Sequence, residues 1–135
     1  MSHEAHEFDT ALTKLLPKPT APNALVWPSD NDDNGQLKIV VLPDYQVFSW
    51  VPETLNSQKK EHQREFLRPD DELGALIDNG SDDPRFAELE LLFADNLSNS
   101  RVFYRPTKEQ SVYDLYLLVR FSDVWVGATC KIVNS

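Results

Sequence analysis

The residues of this 135-residue chain that could do chemistry fall into separate groups. Asp30, Asp32, Asn34 and Gly35 follow the Asp-x-Asp-x-Asn-Gly opening of a calcium loop, where alternate oxygen ligands precede a glycine that permits a sharp turn. The twelfth loop position is Val41, which has no carboxylate to close the coordination sphere. A strand rather than a helix is expected after it, so the segment reads as an acidic turn. His3, Glu4, His6 and Glu7 lack the His-Glu-x-x-His spacing that sets two imidazoles on one helix face, and read as a solvated helix start. His62 has no sequence-near partner, and no glycine-rich phosphate loop, nucleophile elbow or cysteine cluster is present. No motif stands behind an enzyme reading, and no cofactor or metal site of its own is expected. The last group is the end of the chain. Val124, Val126, Ala128, Cys130 and Ile132 share one face at period two while Trp125, Thr129 and Lys131 face the other way, the pattern of a half-buried strand. Such a strand would hold Asn134 and the hydroxyl and carboxylate of Ser135 in a defined place, where most termini fray.

The elements that must position these groups follow from spacing. Ala5, Phe8, Ala11, Leu12, Leu15 and Leu16 predict a first helix, with Ser2 as its cap and Pro17 as its stop. Pro17, Pro19 and Pro22 mark a stiff polar connector to Leu25, Val26 and Trp27. The runs 37–42 and 45–51 are rich in β-branched and aromatic residues and flank Pro43 and Asp44, which predicts a hairpin. Residues 54–67 are polar and charged and read as an exposed helix or mobile loop before Pro69. Asp83 and Pro84 supply a cap and a first-turn proline for a helix carrying Phe86, Leu89, Leu92, Phe93 and Leu97. Strands are predicted over 102–105, 112–121 and 124–133, the last two joined by a tight turn at Ser122 and Asp123. The order predicts a single α+β domain spanning 1–135, a mainly antiparallel central sheet covered by helices in an α/β/α sandwich-like arrangement.

Composition limits the function classes. The 22 acidic against 13 basic side chains give a net charge of −9, which opposes direct binding to phosphate backbones and favours a basic protein partner. The acids between Asp70 and Asp95 read first as a solvated face, with Asp82 and Asp83 favouring a helix N-terminus; the remainder could imitate the phosphates of DNA before a basic cleft. The N-terminus is polar and acidic and no apolar run approaches the ~18 residues of a membrane span, so a soluble, cytoplasmic protein is expected. The lone Cys130 on the inward face of the last strand suits a reducing compartment and a core role.

Val102 to Arg105, Tyr113 to Tyr116 and Trp125 to Ser135, with the preceding Pro84 to Leu97 segment, resemble the C-terminal half of the nuclease A inhibitor family. Ala24 to Trp27 followed by Pro28, Ser29, Asp30, Asn31 and Asp32 resembles that family's short apolar run and Ser-acid-Ser-acid element, with Asn31 in place of the second serine. The resemblance implies a small acidic inhibitor that blocks the active site of a sugar-non-specific, metal-dependent ββα nuclease. In the family the last residue, a threonine, reaches toward the nuclease's magnesium ion. Ser135 matches it in type, with a β-hydroxyl and a carboxylate as hard oxygen donors. The family's first acid, a glutamate that contacts the nuclease, corresponds to the shorter Asp30; beyond Asp32 this chain reads Asp33, Asn34, Gly35 where the family has an aromatic residue and a proline. Asp30 and Asp32 would meet basic residues around the cleft beside Asn134 and Ser135. Trp27 or Trp125 would be an aromatic anchor, although Trp125 could equally cover the sheet beneath a helix. The alternative from another class is an acidic, DNA-mimicking binding module whose partner is not a nuclease.

Overall fold

A computed structural model describes residues 2–28, 35–57, 69–78, 80, 82–109 and 112–133, with the backbone alone at 51–57, 97 and 133. Helix α1, His3–Leu15, starts where Ser2 Oγ accepts from the Ala5 amide at 3.2 Å and closes at Leu16, whose N–H reaches Leu12, just before Pro17. It buries Ala5, Phe8 and Leu12, spaced at three and four residues, as the sequence requires. Helix α4, Pro84–Ala94, is capped by Asp83 and buries Phe86, Leu89 and Phe93. It ends three residues short of Leu97, which falls in a short 3-10 turn over Leu97–Asn99.

The predicted hairpin of 37–42 with 45–51 does not form. Strand β1, Lys38–Pro43, leads directly into helix α2, Asp44–Ser57, and pairs with the last strand instead. Helix α3, Pro69–Asp78, was not expected. Pro69 begins it, and Asp70, Asp71 and Glu72 fill its first turn, where negative charge faces the positive helix end. Of the ambiguous segment 54–67, residues 54–57 complete α2 and the remainder, His62 included, lies outside the described residues.

Strands β2, Ser100–Pro106, β3, Val112–Phe121, and β4, Val124–Val133, join β1 in a four-stranded antiparallel sheet of order β1-β4-β3-β2. The alternation expected for β4 holds. Val126, Ala128 and Cys130 enter a core with Leu115, Leu117 and Val119 of β3 and the apolar faces of α1, α3 and α4. Phe8 of α1 sets its ring edge-on to Phe93 at 5.5 Å and against Phe121 at 5.4 Å, so α1, α4 and the sheet meet at one aromatic contact. On the opposite face Trp125, Leu118 and Phe103 pack under Val47 and Trp50 of α2. The result is the α+β, helix-sheet-helix layering predicted from the element order. Burial in the larger core pushes the Cys130 thiol up to about 12, with the Asp114 charge adding to it, so Cys130 is an inert core residue at neutral pH.

Gly127 leaves the neighbouring β3 backbone no room for a side chain. A Cβ built there falls on the Leu117 carbonyl oxygen and lies 2.9 Å from Leu118 Cα, both backbone atoms with no freedom to rotate away. Gly127→Ala is therefore expected to destabilise the fold by roughly 3 kcal/mol, the upper part of the usual range for overpacking. Urea denaturation with an unchanged slope and a lowered midpoint would show it; a midpoint equal to wild type would mean that the β3–β4 ladder gives way at no cost.

Candidate functional site

Asn134, Ser135, Asp30 and Asp32 lie outside the described residues, as do Asn31, Asp33 and Asn34. Their attachment points are well defined. Val133 is in register with Val112 at the end of the β3–β4 ladder, and just before it Lys131 sits 3.6 Å from Asp114 across the strands. The Thr129 hydroxyl donates to the Leu115 carbonyl at 2.8 Å, tying the same stretch to β3 a second time. The acidic turn leaves from an antiparallel stem. The Trp27 amide donates to the Gly35 carbonyl at 2.7 Å, the Leu37 amide to Leu25 at 2.8 Å, and Val26 bridges to Gln36. Gly35 is needed there because a Cβ would approach the Trp27 carbonyl oxygen to 2.7 Å. Val41 stands in β1 opposite Val126, in a strand as the rejection of a calcium loop required.

The two tryptophans correct the expectation of an exposed anchor. Trp27 is 5% exposed and meets Phe86 of α4 edge-on at 6.1 Å; Trp125 is 6% exposed, between Phe103 at 6.3 Å and Phe48 at 6.2 Å. Both bury their rings inside this chain, because each faces a helix that needs apolar area beneath it. Of the two placements considered for Trp125, the one under a helix is realised. Large aromatic surface is instead presented by Tyr45, 79% exposed, and Phe48, 49% exposed, one turn apart on α2.

These two rings stand on a polar joint that sequence reasoning missed. The Asp44 carboxylate, at the start of α2, accepts from Arg120 Nε at 2.9 Å and Nη2 at 2.7 Å, and from Trp125 Nε1 at 2.7 Å. The Asp44 amide donates to the Asp123 carbonyl at 3.0 Å. Arg120 also covers the Phe48 ring, 5.0 Å from its centroid. The β3–β4 turn beside them holds Ser122 at φ 62°, a left-handed conformation that ordinarily takes glycine. Asp44 was read as half of a Pro-Asp turn; the available signal was the three-residue spacing of Val47 and Trp50, which marks a helix face rather than a strand.

No protein-family model matches the chain, and a search of curated proteins finds no match. Function therefore rests on what the residues can do. The acids between Asp70 and Asp95 are partly accounted for within the fold. Asp83 caps α4 and pairs with Arg85 at 2.6 Å, while Arg85 Nη1 donates to the Asn23 carbonyl at 2.7 Å and ties the proline-rich connector to the helix. Glu72 is buried and accepts from the Tyr104 hydroxyl at 3.0 Å, joining α3 to β2. Asp71, Asp78, Asp82, Glu88 and Asp95 remain exposed on the α3–α4 layer. Among the described residues no group of three or more histidine, cysteine, aspartate or glutamate side chains is placed to hold a metal ion, and no helix is long and apolar enough to cross a membrane.

The hydrogen bonds from Arg120 hold the Asp44 carboxyl below its usual range, with burial opposing them and the Trp125 indole N–H reinforcing them. A depressed carboxylate pKa contributes stability that is complete above the unfolded value of about 3.9 and is lost as pH falls through the folded value. Asp44→Asn should thus melt below wild type at pH 7, and the gap should close as pH drops below about 4. Thermal melts of both proteins between pH 7 and pH 2.5 test this; a gap that stays constant with pH would show that the ionised carboxylate is not what joins α2 to the turn.

Proposed function

We propose that this chain is a proteinaceous inhibitor of a sugar-non-specific, metal-dependent nuclease, acting in the cytoplasm and blocking the active site with Asn134 and Ser135 aided by Asp30 and Asp32. The observation that carries the reading is the setting of β4. It is paired with β1 as far as Thr129 and with β3 as far as Val133, so the residues that follow Val133 leave from the end of the β3–β4 ladder. An active-site plug needs that rigidity, because ordering a loose tail on binding would cost about 1–2 kcal/mol per residue. The paired stem of Trp27 and Gly35 gives the Asp30 and Asp32 segment a similarly fixed base. The net charge of −9 suits a basic nuclease cleft and accelerates encounter with it.

A second reading, an acidic module with a non-nuclease partner, is favoured by the exposed acids of α3 and α4, which owe nothing to the end of β4. DNA mimicry belongs to that reading. The two part in one experiment. DNA degradation by a purified ββα nuclease is titrated with the full chain and with a variant lacking Asn134 and Ser135. The plug reading expects stoichiometric inhibition that weakens at least a hundredfold in the shortened variant. Inhibition that survives the truncation and falls steeply with salt would favour the charge-driven module, and no inhibition by a folded full chain would remove the nuclease reading.

A further inference from the structure

The end of the sheet opposite Val133 carries exposed aromatic side chains. β4 runs ten residues from Val124 to Val133, so its two ends stand ~30 Å apart at about 3.3 Å per residue. At the Val124 end lie the C-terminus of β1, the first turn of α2 and the Ser122–Asp123 turn. There Tyr45 and Phe48, neighbours on the helix at a spacing of three, expose aromatic rings, and the exposed Asp123 is tied to the start of the same helix through its carbonyl, which accepts from the Asp44 amide. Phe48 is held in place by Arg120 over its ring and by Trp125 edge-on, and Arg120 is itself held at two points by Asp44. Preorganised aromatic and arginine side chains are what binding hot spots are made of, since little rotamer freedom is left to lose.

The charge of the surface selects the occupant. Arg120 pairs with Asp44 and is also near enough to feel the Asp123 charge, so the two carboxylates leave one negative charge in excess at the tip, in a chain of net charge −9. A second copy would bring the same sign of charge to the contact. A lysine or arginine side chain brings the opposite sign and finds both an aromatic face, at Tyr45, and a carboxylate. We infer that the Tyr45–Phe48–Asp123 tip of the sheet docks a protein segment bearing lysine or arginine. This is independent of nuclease inhibition, whose residues follow the other end of β4.

The probe is a capped Gly-Arg-Gly-Arg-Gly peptide, titrated into the isotope-labelled full chain and followed by amide chemical shifts, with sedimentation equilibrium on the same samples. Saturable shifts centred on Tyr45, Phe48, Ser122 and Asp123 are expected, with binding at least fivefold weaker in Tyr45→Ala and in Asp123→Asn. Both substituted side chains are exposed, and unchanged thermal melts confirm that the variants fold. No shifts at the tip would overturn the inference. So would shifts spread over the acids of α3 and α4 that are equally strong in both variants, which would mean binding by charge alone. Self-association abolished by Tyr45→Ala would overturn it too, by assigning the tip to a second copy.

Discussion

β4 is the strand on which the sheet closes, held between β1 and β3. Its neighbours on the two sides come from opposite parts of the chain: β3 is joined to it by two residues, whereas β1 lies before three helices and two strands. Pairing β1 with β4 therefore closes a loop containing most of the molecule, and that loop entropy is recovered only when both faces of β4 are covered. The coverage is complete where it matters. Val126, Ala128 and Cys130 face α1 and α4, Trp125 faces α2, and Gly127 lets the β3 backbone approach more closely than any side chain would permit. From Val124 to Thr129 the strand has neighbours on both edges, which removes the usual hazard of unpaired backbone groups over that stretch.

Much of this was legible in the sequence because it is local. Ser2 and Pro17 delimit α1, Asp83 and Pro84 open α4, and the period-two alternation of 124–133 identifies β4 and its inward face without reference to anything else. The residues that misled are those whose local preference conflicts with their tertiary setting. Tyr45 to Val51 is aromatic and β-branched, and Pro52 within α2 removes the N–H that would bond the Phe48 carbonyl, so composition favours a strand or a turn, and only the Val47–Trp50 spacing points to a helix. The segment is helical because Val47 and Trp50 then fall together over Phe103, Leu118 and Trp125, and because Asp44 is gripped by groups near the other end of the chain. No inspection of 44–51 alone reveals Arg120 or Trp125.

The candidate sites divide along the same line. That 124–133 forms a strand could be read from its alternation, and the return of apolar residues at Leu25 to Trp27 from composition. Trp27 and Trp125 could not be placed, since a tryptophan on a half-buried strand serves a partner or the chain's own helix equally well until the helix is located. Here Phe86 and α2 take them. α3 was readable in principle. Pro69 with three acids after it, and then Leu73, Leu76 and Ile77, is a helix start followed by an apolar stripe, but the same proline also punctuates the polar stretch before it.

The division of labour between charge and shape follows from what the acids are already doing. Asp44 and Asp83 are each bound by an arginine, Glu72 by a tyrosine, and Asp70, Asp71 and Glu72 lie in the first turn of α3, so part of the negative charge is committed to the fold. The excess still creates a field, but beyond about 8 Å at physiological salt that field is screened and governs only encounter. What remains in contact must be decided by groups held rigidly enough to desolvate without further ordering. In this chain such groups are concentrated at the two ends of one strand: the ladder that finishes at Val133, and the aromatic tip locked by Asp44, Arg120 and Trp125. Because the length of one strand, about 30 Å, separates them, charge at one end is screened from the other.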